Sequence, residues 1–487
     1  MAEERIVEPR LLRGFRDYLP AQMNARNKLV ATIRQVYERY GFLPLETPAQ
    51  EYRVTLMGYG EENTKQIFTF QNPEEEDVAL RFDLTVPLAR VVAQYPDLPL
   101  PFRRYQVAPV WRADKPDPGR FREFLQFDLD SVGTSSLAAD VEILTGMYDT
   151  LKALGLQNFL VRFSSRKVLN SLLDYAGISH DMAHGVFRVL DKLEKIGVEN
   201  VAAELTVGRV DVSGDKIQGL GLNTKAVSRI TEFLALPKGA RDQVLTGLKQ
   251  LFSGVDSAAE AVQELEFLCT SLEVLDIPED CVALDLSIAR GLDYYTGPVF
   301  EAVLNDAPEF GSVFGGGRYD GLVERFLGRK IPAVGASIGV DRLFAAMQKL
   351  GLFTMGNATA QVLVTIMEHG RLAEYQQLTR RLREAGINTE MYLGEERSPG
   401  KQLQYANRQH IPVAILLGSN EFERGEVTIK DLVLGASLQE KKKGVTGKDR
   451  EKYLQETRTV QITVPQAACV DKVREVLARH NGPSHSS

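Results

Sequence analysis

Hydrophobic positions recur every three to four residues in some stretches of the chain and every two in others, and these two periods divide it into blocks. In ARNKLVATIRQVYERY, residues 25–40, Leu29, Ile33, Val36, Tyr37 and Tyr40 fall on one helical face. The following GFLPLETPAQEY reads as extended chain, because Pro44 and Pro48 forbid helix and suit an edge strand. Short strands are expected between 78 and 134, and a helix over 139–154, where Val141, Leu144, Met147, Leu151 and Leu154 share a face. From about 167 to 275 the texture is helical throughout. Strand pieces return at 282, so the helical block reads as an insertion within one domain. From about 360 the chain alternates strand, helix, strand, helix, strand, strand, with Gly386 as a C′ glycine, which predicts an α/β domain with a mostly parallel sheet. The expected boundaries are 1–166 and 276–352 for the two parts of the first domain, 167–275 for the insertion and 360–481 for the last domain.

Within the strand-like stretches some polar residues interrupt the pattern. RFDLTVPLAR, 81–90, read as a strand, puts Arg81, Asp83 and Thr85 on one face. Asp83 with Thr85 suits an ammonium group; a salt-bridged, exposed strand face is the competing reading. In VWRADKPDPGRFREFLQFDLDSVG, 110–133, Leu125, Phe127 and Leu129 alternate with Gln126, Asp128 and Asp130. Neighbouring carboxylates on one face demand cations or hydrogen-bond donors opposite them. Arg112 and Asp114 precede a Pro/Gly loop carrying Lys115 and Arg120, a plausible phosphate site at the mouth of two strands. ARGLDYYTGPVFE, 289–301, places Arg290, Tyr294 and Tyr295 in an otherwise strand-like context. The Gly315–Gly317 triplet ahead of Arg318 and Tyr319 reads as a flexible turn. VGASIGVDRLFAAMQKL passes from strand through Gly339 into a helix, with Arg342 in its first turn, where the dipole adds to the attraction for phosphate.

Composition narrows the partners. The chain has 487 residues, 44% of them hydrophobic, which predicts two or three domains. No apolar run approaches the roughly 20 residues of a membrane span, and MAEERIVEPRLLRGF lacks a signal-peptide core. Cys269, Cys281 and Cys469 are widely spaced, which fits a reducing cytoplasm and shows no metal spacing. A net charge of −7 means that a nucleic acid would be held by local basic patches. His180 and His184 stand at i,i+4 but lack the glutamate of a zincin, so an ordinary amphipathic helix is expected there. Arg380, Arg381 and Arg383 on a polar helix face read either as solvated charge or as part of an RNA footprint, and QEKKKGVTGKDREKY, 439–453, as a solvated loop. Three arginines, a carboxylate-lined face and an Asp/Thr pair together fit a zwitterionic amino acid beside a polyphosphate nucleotide.

Those motifs resemble the histidyl-tRNA synthetase family of class II aminoacyl-tRNA synthetases over nearly the whole chain. The 25–40 helix with GFLPLETP resembles class II motif 1, VWRADKPDPGRFREF motif 2 and GASIGVDRL motif 3. ARGLDYYTG and GGGRYDGL resemble the two histidine signatures, and 360–480 an anticodon-binding domain. The resemblance implies an α+β catalytic domain on a mainly antiparallel sheet, a helical insertion, and a C-terminal α/β domain. It implies a cytoplasmic homodimeric ligase of protein biosynthesis, with no membrane association, that binds L-histidine, ATP with Mg2+, and tRNA(His); no protein-bound transition metal is expected. It assigns Arg112 and Arg290 to the carboxylate and α-phosphate as catalytic groups. Asp114, Phe124 and Arg342 join Arg112 at ATP, with Phe124 stacking on adenine. Asp83, Thr85 and Gln126 receive the ammonium, Asp130 and Tyr295 bracket the imidazole, and Tyr294 and Tyr319 complete the pocket. A non-catalytic paralogue of the regulatory-subunit type is the competing reading; such proteins typically lose the arginines and the C-terminal block that this chain keeps.

Overall fold

The computed structural model describes residues 7–58, 64–117, 119–211, 214–288, 295–353, 358–396, 398–441 and 460–480. Chain contacts separate two compact units, one built mainly from residues 28–353 and the other from residues 354–487. In chain order the strands are β1 (Leu43–Pro44), β2 (Gln50–Tyr52), β3 (Thr69–Gln71), β4 (Asp77–Leu80), β5 (Phe102–Trp111), β6 (Glu123–Val132) and β7 (Phe159–Ser165). They continue with β8 (Gly208–Val210), β9 (Lys216–Gln218), β10 (Val282–Leu284), β11 (Pro298–Leu304), β12 (Ser312–Arg318) and β13 (Ala333–Gly339). The second unit holds β14 (Val362–Val364), β15 (Thr389–Met391), β16 (Val413–Leu416), β17 (Glu426–Asp431) and β18 (Gln461–Pro465).

The first unit is organised by an eight-stranded sheet in the order β1-β5-β6-β13-β12-β11-β7-β10. Its outer pairings, β1 with β5 and β7 with β10, are parallel; the pairings between them are antiparallel, as expected. Alternation along β6 explains which face is covered. Phe127 and Leu129 are fully buried. Behind Phe127 stands Tyr37 of the helix Pro20–Arg39, edge-on with ring centroids 5.0 Å apart, and the helix Ala138–Ala153 lies against the same sheet at Leu129. The other face carries Gln126, Asp128 and Asp130 and stays open as a cavity.

Two local expectations are overturned in this unit. RFDLTVPLAR is not a strand: β4 ends at Leu80 and a helix runs Thr85–Gln94. Asp83 stops the strand because its carboxylate accepts from the Val86 amide at 3.2 Å, a local bond that offers the first helical turn a partner. Pro87 fits that same turn, where a missing N–H costs nothing. The Gly315–Gly317 triplet is not a turn but the middle of β12, hydrogen-bonded on both sides. A Cβ at Gly316 would lie 2.2 Å from the Gly335 carbonyl oxygen, and one at Gly317 2.9 Å from the Tyr295 ring. Glycine is there because neighbouring groups approach the strand too closely for any side chain.

Between β7 and β10 come helices at Arg166–Ala176, Ala183–Leu190, Leu193–Leu205, Thr224–Leu234, Arg241–Leu251 and Ala258–Val274. The hairpin β8–β9 interrupts them, a pairing that the helical texture hid. His180 sits in a 3-10 turn ahead of the second of these helices rather than in it, paired at 2.8 Å with Asp174.

In the second unit the strand order is β15-β14-β16-β17-β18. β14 pairs in parallel with β15 and β16, but β16–β17 and β17–β18 are antiparallel. The sheet is therefore mixed rather than mostly parallel. The link from Leu416 to Glu426 holds only the short helix Ser419–Arg424, less than the dozen or so residues of a parallel crossover. Gly386 follows the helix Leu372–Glu384 with φ +77°, as expected of a C′ glycine. The basic stretch at 439–453 lies largely outside the described residues; among these, no helix is long and apolar enough to cross a membrane.

Replacing Gly316 by Ala should destabilise the first unit by about 3 kcal/mol, because backbone rather than a movable side chain blocks the new methyl. Urea denaturation of the variant beside the wild type checks this.

Candidate active site

A cavity of about 440 Å³ opens on the polar face of β6. Register explains its floor. Asp130 is flanked in the sheet by Arg104 of β5 and Gly335 of β13, and Gly335 by Gly317 of β12. One step along, Asp128 lies between Gln106 and Ser337, and Gln126 between Ala108 and Gly339. The first row thus runs from charged side chains on β5 and β6 to bare backbone on β13 and β12. The glycines make the hollow, and the side chains beside it give it chemistry. Gly335 has no alternative, since a Cβ there would fall 1.9 Å from the Asp130 carboxylate.

Of the residues singled out in the sequence, Asp83, Thr85, Arg112, Asp114, Phe124, Gln126, Asp130, Tyr295, Tyr319 and Arg342 all line this one cavity. Arg290 and Tyr294 lie outside the described residues. Arg112 emerges from the end of β5, its Nε donating to the Phe82 carbonyl at 2.8 Å and its guanidinium 5.3 Å from the centre of the Phe124 ring. Arg342, in the first turn of the helix Val340–Lys349, donates to the Ser312 carbonyl at 2.8 Å. Asp341 beside it is buried and accepts from the Leu125 amide at 2.7 Å, which ties the helix start to β6. At the mouth, Asp114 receives Arg120 at 2.6 Å. Deep inside, the Tyr319 hydroxyl donates to Asp130.

Residues that the sequence reading passed over complete the site. Arg104, fully buried, lies 2.9 Å from Asp130 and 3.7 Å from Asp128. Asp128 also accepts from Gln126 Nε2 at 3.0 and 3.1 Å. The demand for cations opposite the β6 carboxylates carried the signal for Arg104, because PFRRYQVAPVW puts Arg104 and Gln106 on one strand face. Burial dominates the electrostatics. It pushes the Asp128 and Asp130 carboxyls above their usual range, against the pull of Arg104. It likewise raises Asp83 to about 6, with the Val86 amide and Arg112 opposing. Burial and the neighbouring Asp130 raise the Tyr319 hydroxyl.

A carboxyl raised in the folded state stabilises the protein below its unfolded pKa, and that stability is lost as pH rises through the folded value. Wild type should therefore lose about 2 kcal/mol relative to Asp83→Asn between pH about 4 and about 6 in the absence of ligands. Urea midpoints of both proteins across that range check the sign and size.

Residues 14–343 match the family model described as histidyl-tRNA synthetase, and residues 361–475 match that of an anticodon binding domain. The histidine--tRNA ligase of Ruegeria sp. is 42% identical over 96% of this chain and 95% of its own length. That of Paracoccus denitrificans is 41% identical over 98% of this chain and its whole length. The crystal structure of histidyl-tRNA synthetase from Nostoc sp. superposes with a TM-score of 0.80 at 32% identity, covering 96% of this chain and all of the other. The chain belongs to the histidyl-tRNA synthetase family, class II ligases that activate histidine with ATP and transfer it to tRNA(His).

Proposed function

We propose that the cavity on β6 is where the ligase reaction takes place, with its residues dividing the work between the two ends of histidine and the nucleotide. The reaction has two steps. A histidine carboxylate oxygen attacks the α-phosphorus of MgATP, forming histidyl-adenylate as the bond to pyrophosphate breaks. A 3′-terminal ribose hydroxyl of the tRNA then takes the histidyl group, releasing AMP. The observation that carries the reading is the convergence of two arginines, an anionic floor and an Asp/Thr turn on one hollow.

Arg112 holds the carboxylate and the α-phosphoryl oxygens, and Arg290, outside the described residues, takes the same role on the sequence signature alone. Fixed guanidinium groups stabilise the charge that spreads over those oxygens in the transition state without reorganising. Phe124, already beneath Arg112, takes the adenine ring, Arg342 the terminal phosphates, and Asp114 the nucleotide mouth with Arg120. Asp83, Thr85 and the Gln126 oxygen receive the ammonium. Asp130 and Tyr295 take one imidazole nitrogen each, with Tyr294 and Tyr319 closing the slot. A slot that pairs both ring nitrogens rejects isosteres by roughly 10⁴ without editing.

Mg2+ arrives on the triphosphate, where phosphate oxygens and water supply the ligands such a small hard ion prefers. Residues 361–475 supply the tRNA contacts of the family's anticodon domain; there Arg380 is paired with Glu384 at 2.7 Å and Arg383 donates to the Thr389 carbonyl. The homodimer belongs to the same proposal: β1 is an outer strand, and Leu43 on it is 59% exposed. The chemistry is that of cytoplasmic translation.

Histidine-dependent ATP–pyrophosphate exchange tests the reading, and its absence in purified protein that still binds tRNA would sink it. Arg112→Ala and Arg290→Ala should each lower the exchange rate by roughly 10²–10³ with a much smaller effect on histidine binding. Asp130→Ala and Tyr295→Phe should mainly raise the histidine KM; an unchanged KM in both removes them from the slot. Sedimentation at micromolar concentration should give twice the chain mass.

A further inference from the structure

Arg104 has no part in the division of labour above, yet a buried arginine is costly to keep. It reaches three pieces of the pocket at once. Its Nη2 lies 2.9 Å from Asp130 and 3.7 Å from Asp128. The same nitrogen donates to the Leu84 carbonyl at 3.1 Å, within the turn that carries Asp83 and Thr85. Its Nε and Nη1 are buried without a hydrogen-bond partner, so the side chain is not there to complete a satisfied structural network. Asp128 passes the constraint on. It accepts both bonds from Gln126 Nε2, which leaves the amide oxygen, the only acceptor of that side chain, for a donor in the cavity.

We propose that Arg104 is the positioning residue for histidine recognition, pinning the Asp130 carboxylate where it can accept from an imidazole N–H and, through Asp128, turning the Gln126 oxygen toward the ammonium. The proposal rests on the cavity being the histidine site. Arg104 acts on both ends of the amino acid and not on ATP, since Asp114, Phe124 and Arg342 are held by other partners. The charged and titratable groups around Asp130 are Arg104 from β5, Asp128 from β6, Tyr319 after β12, Asp83 from the turn before the helix Thr85–Gln94, and Tyr37 from the helix behind the sheet. Of these, Arg104 supplies the main attraction that favours the anion and Asp128 the main repulsion.

That opposition gives the test. In pyrophosphate exchange between pH 6 and 9, Arg104→Met should raise the histidine KM by roughly 30-fold or more and leave the ATP KM within about twofold. The pH above which histidine binding is full should move upward, because the anion has lost its cation. Asp128→Asn should also raise the histidine KM, by about tenfold, but should move the same pH downward. Arg104→Lys, which keeps the charge on a less suitable head group, should recover part of the loss. A purely structural role would not move the two profiles in opposite directions. A folded Arg104→Met with wild-type histidine KM and pH profile overturns the proposal, as does an equal rise in both KM values. Should Arg104→Met not fold, Asp128→Asn and Arg104→Lys decide by the same criteria. Asp130→Ala separates the layers: if it leaves the histidine KM unchanged, the assignment of the cavity has failed, whereas a null result at Arg104 alone sinks only this inference.

Discussion

Three carboxylates, those of Asp83, Asp128 and Asp130, stand around one hollow in a sheet interior, and Arg104 and Arg112 are the cations that let them stay there. Everything else about the site follows from keeping that arrangement out of water. Uncompensated charges in such a place would take up protons, and the pocket would lose its acceptors. Arg104 answers Asp130 directly across the β5–β6 ladder, so the compensation is built into strand register rather than left to a mobile loop. Burial still outweighs it, and both β6 carboxyls remain raised. A site balanced that closely responds to the loss or gain of a single neighbouring charge.

The second constraint is steric. The sheet is closed behind by Tyr37, Phe127 and Leu129 and open in front because β12 and β13 carry glycines where β5 and β6 carry side chains. A methyl at Gly335 would displace the Asp130 carboxylate, and one at Gly317 would strike the Tyr295 ring. The hollow therefore depends on residues with no functional group as much as on the charged side chains around it. Asp341 adds a third element by fixing the helix start that presents Arg342 to a backbone amide of β6. Arg112, Asp130 and Arg342 are in this way all referred to β5 and β6.

Much of this was legible along the chain. The alternation of Phe127 and Leu129 with Gln126, Asp128 and Asp130 fixed the covered and open faces of β6, and the described site residues named from motifs meet in one cavity. The failures have local causes. Around Asp83 apolar and polar residues alternate as in a strand, but its side chain accepts from the Val86 amide in the first turn of the following helix. A run of glycines reads as a turn along the chain; only the neighbouring strand shows that close approach, not flexibility, demands Gly316 and Gly317. Alternating strand and helix predict a mostly parallel second sheet, but the link before β17 is too short for a parallel crossover and the pairing there is antiparallel.

Sequence by itself determined the periods, the C′ glycine at 386, the residue types that can bind an amino acid and a nucleotide, and the motifs that mark the family, because these are properties of nearby residues along a chain. Which strands would be neighbours was beyond it. Arg104 meets Asp130, and Gly335 makes room for it, only once residues from three distant segments are aligned in one row. Pairing of that kind is fixed by how whole faces bury against the helices behind them, so tertiary structure alone decided where the cation would stand and where the hollow would be.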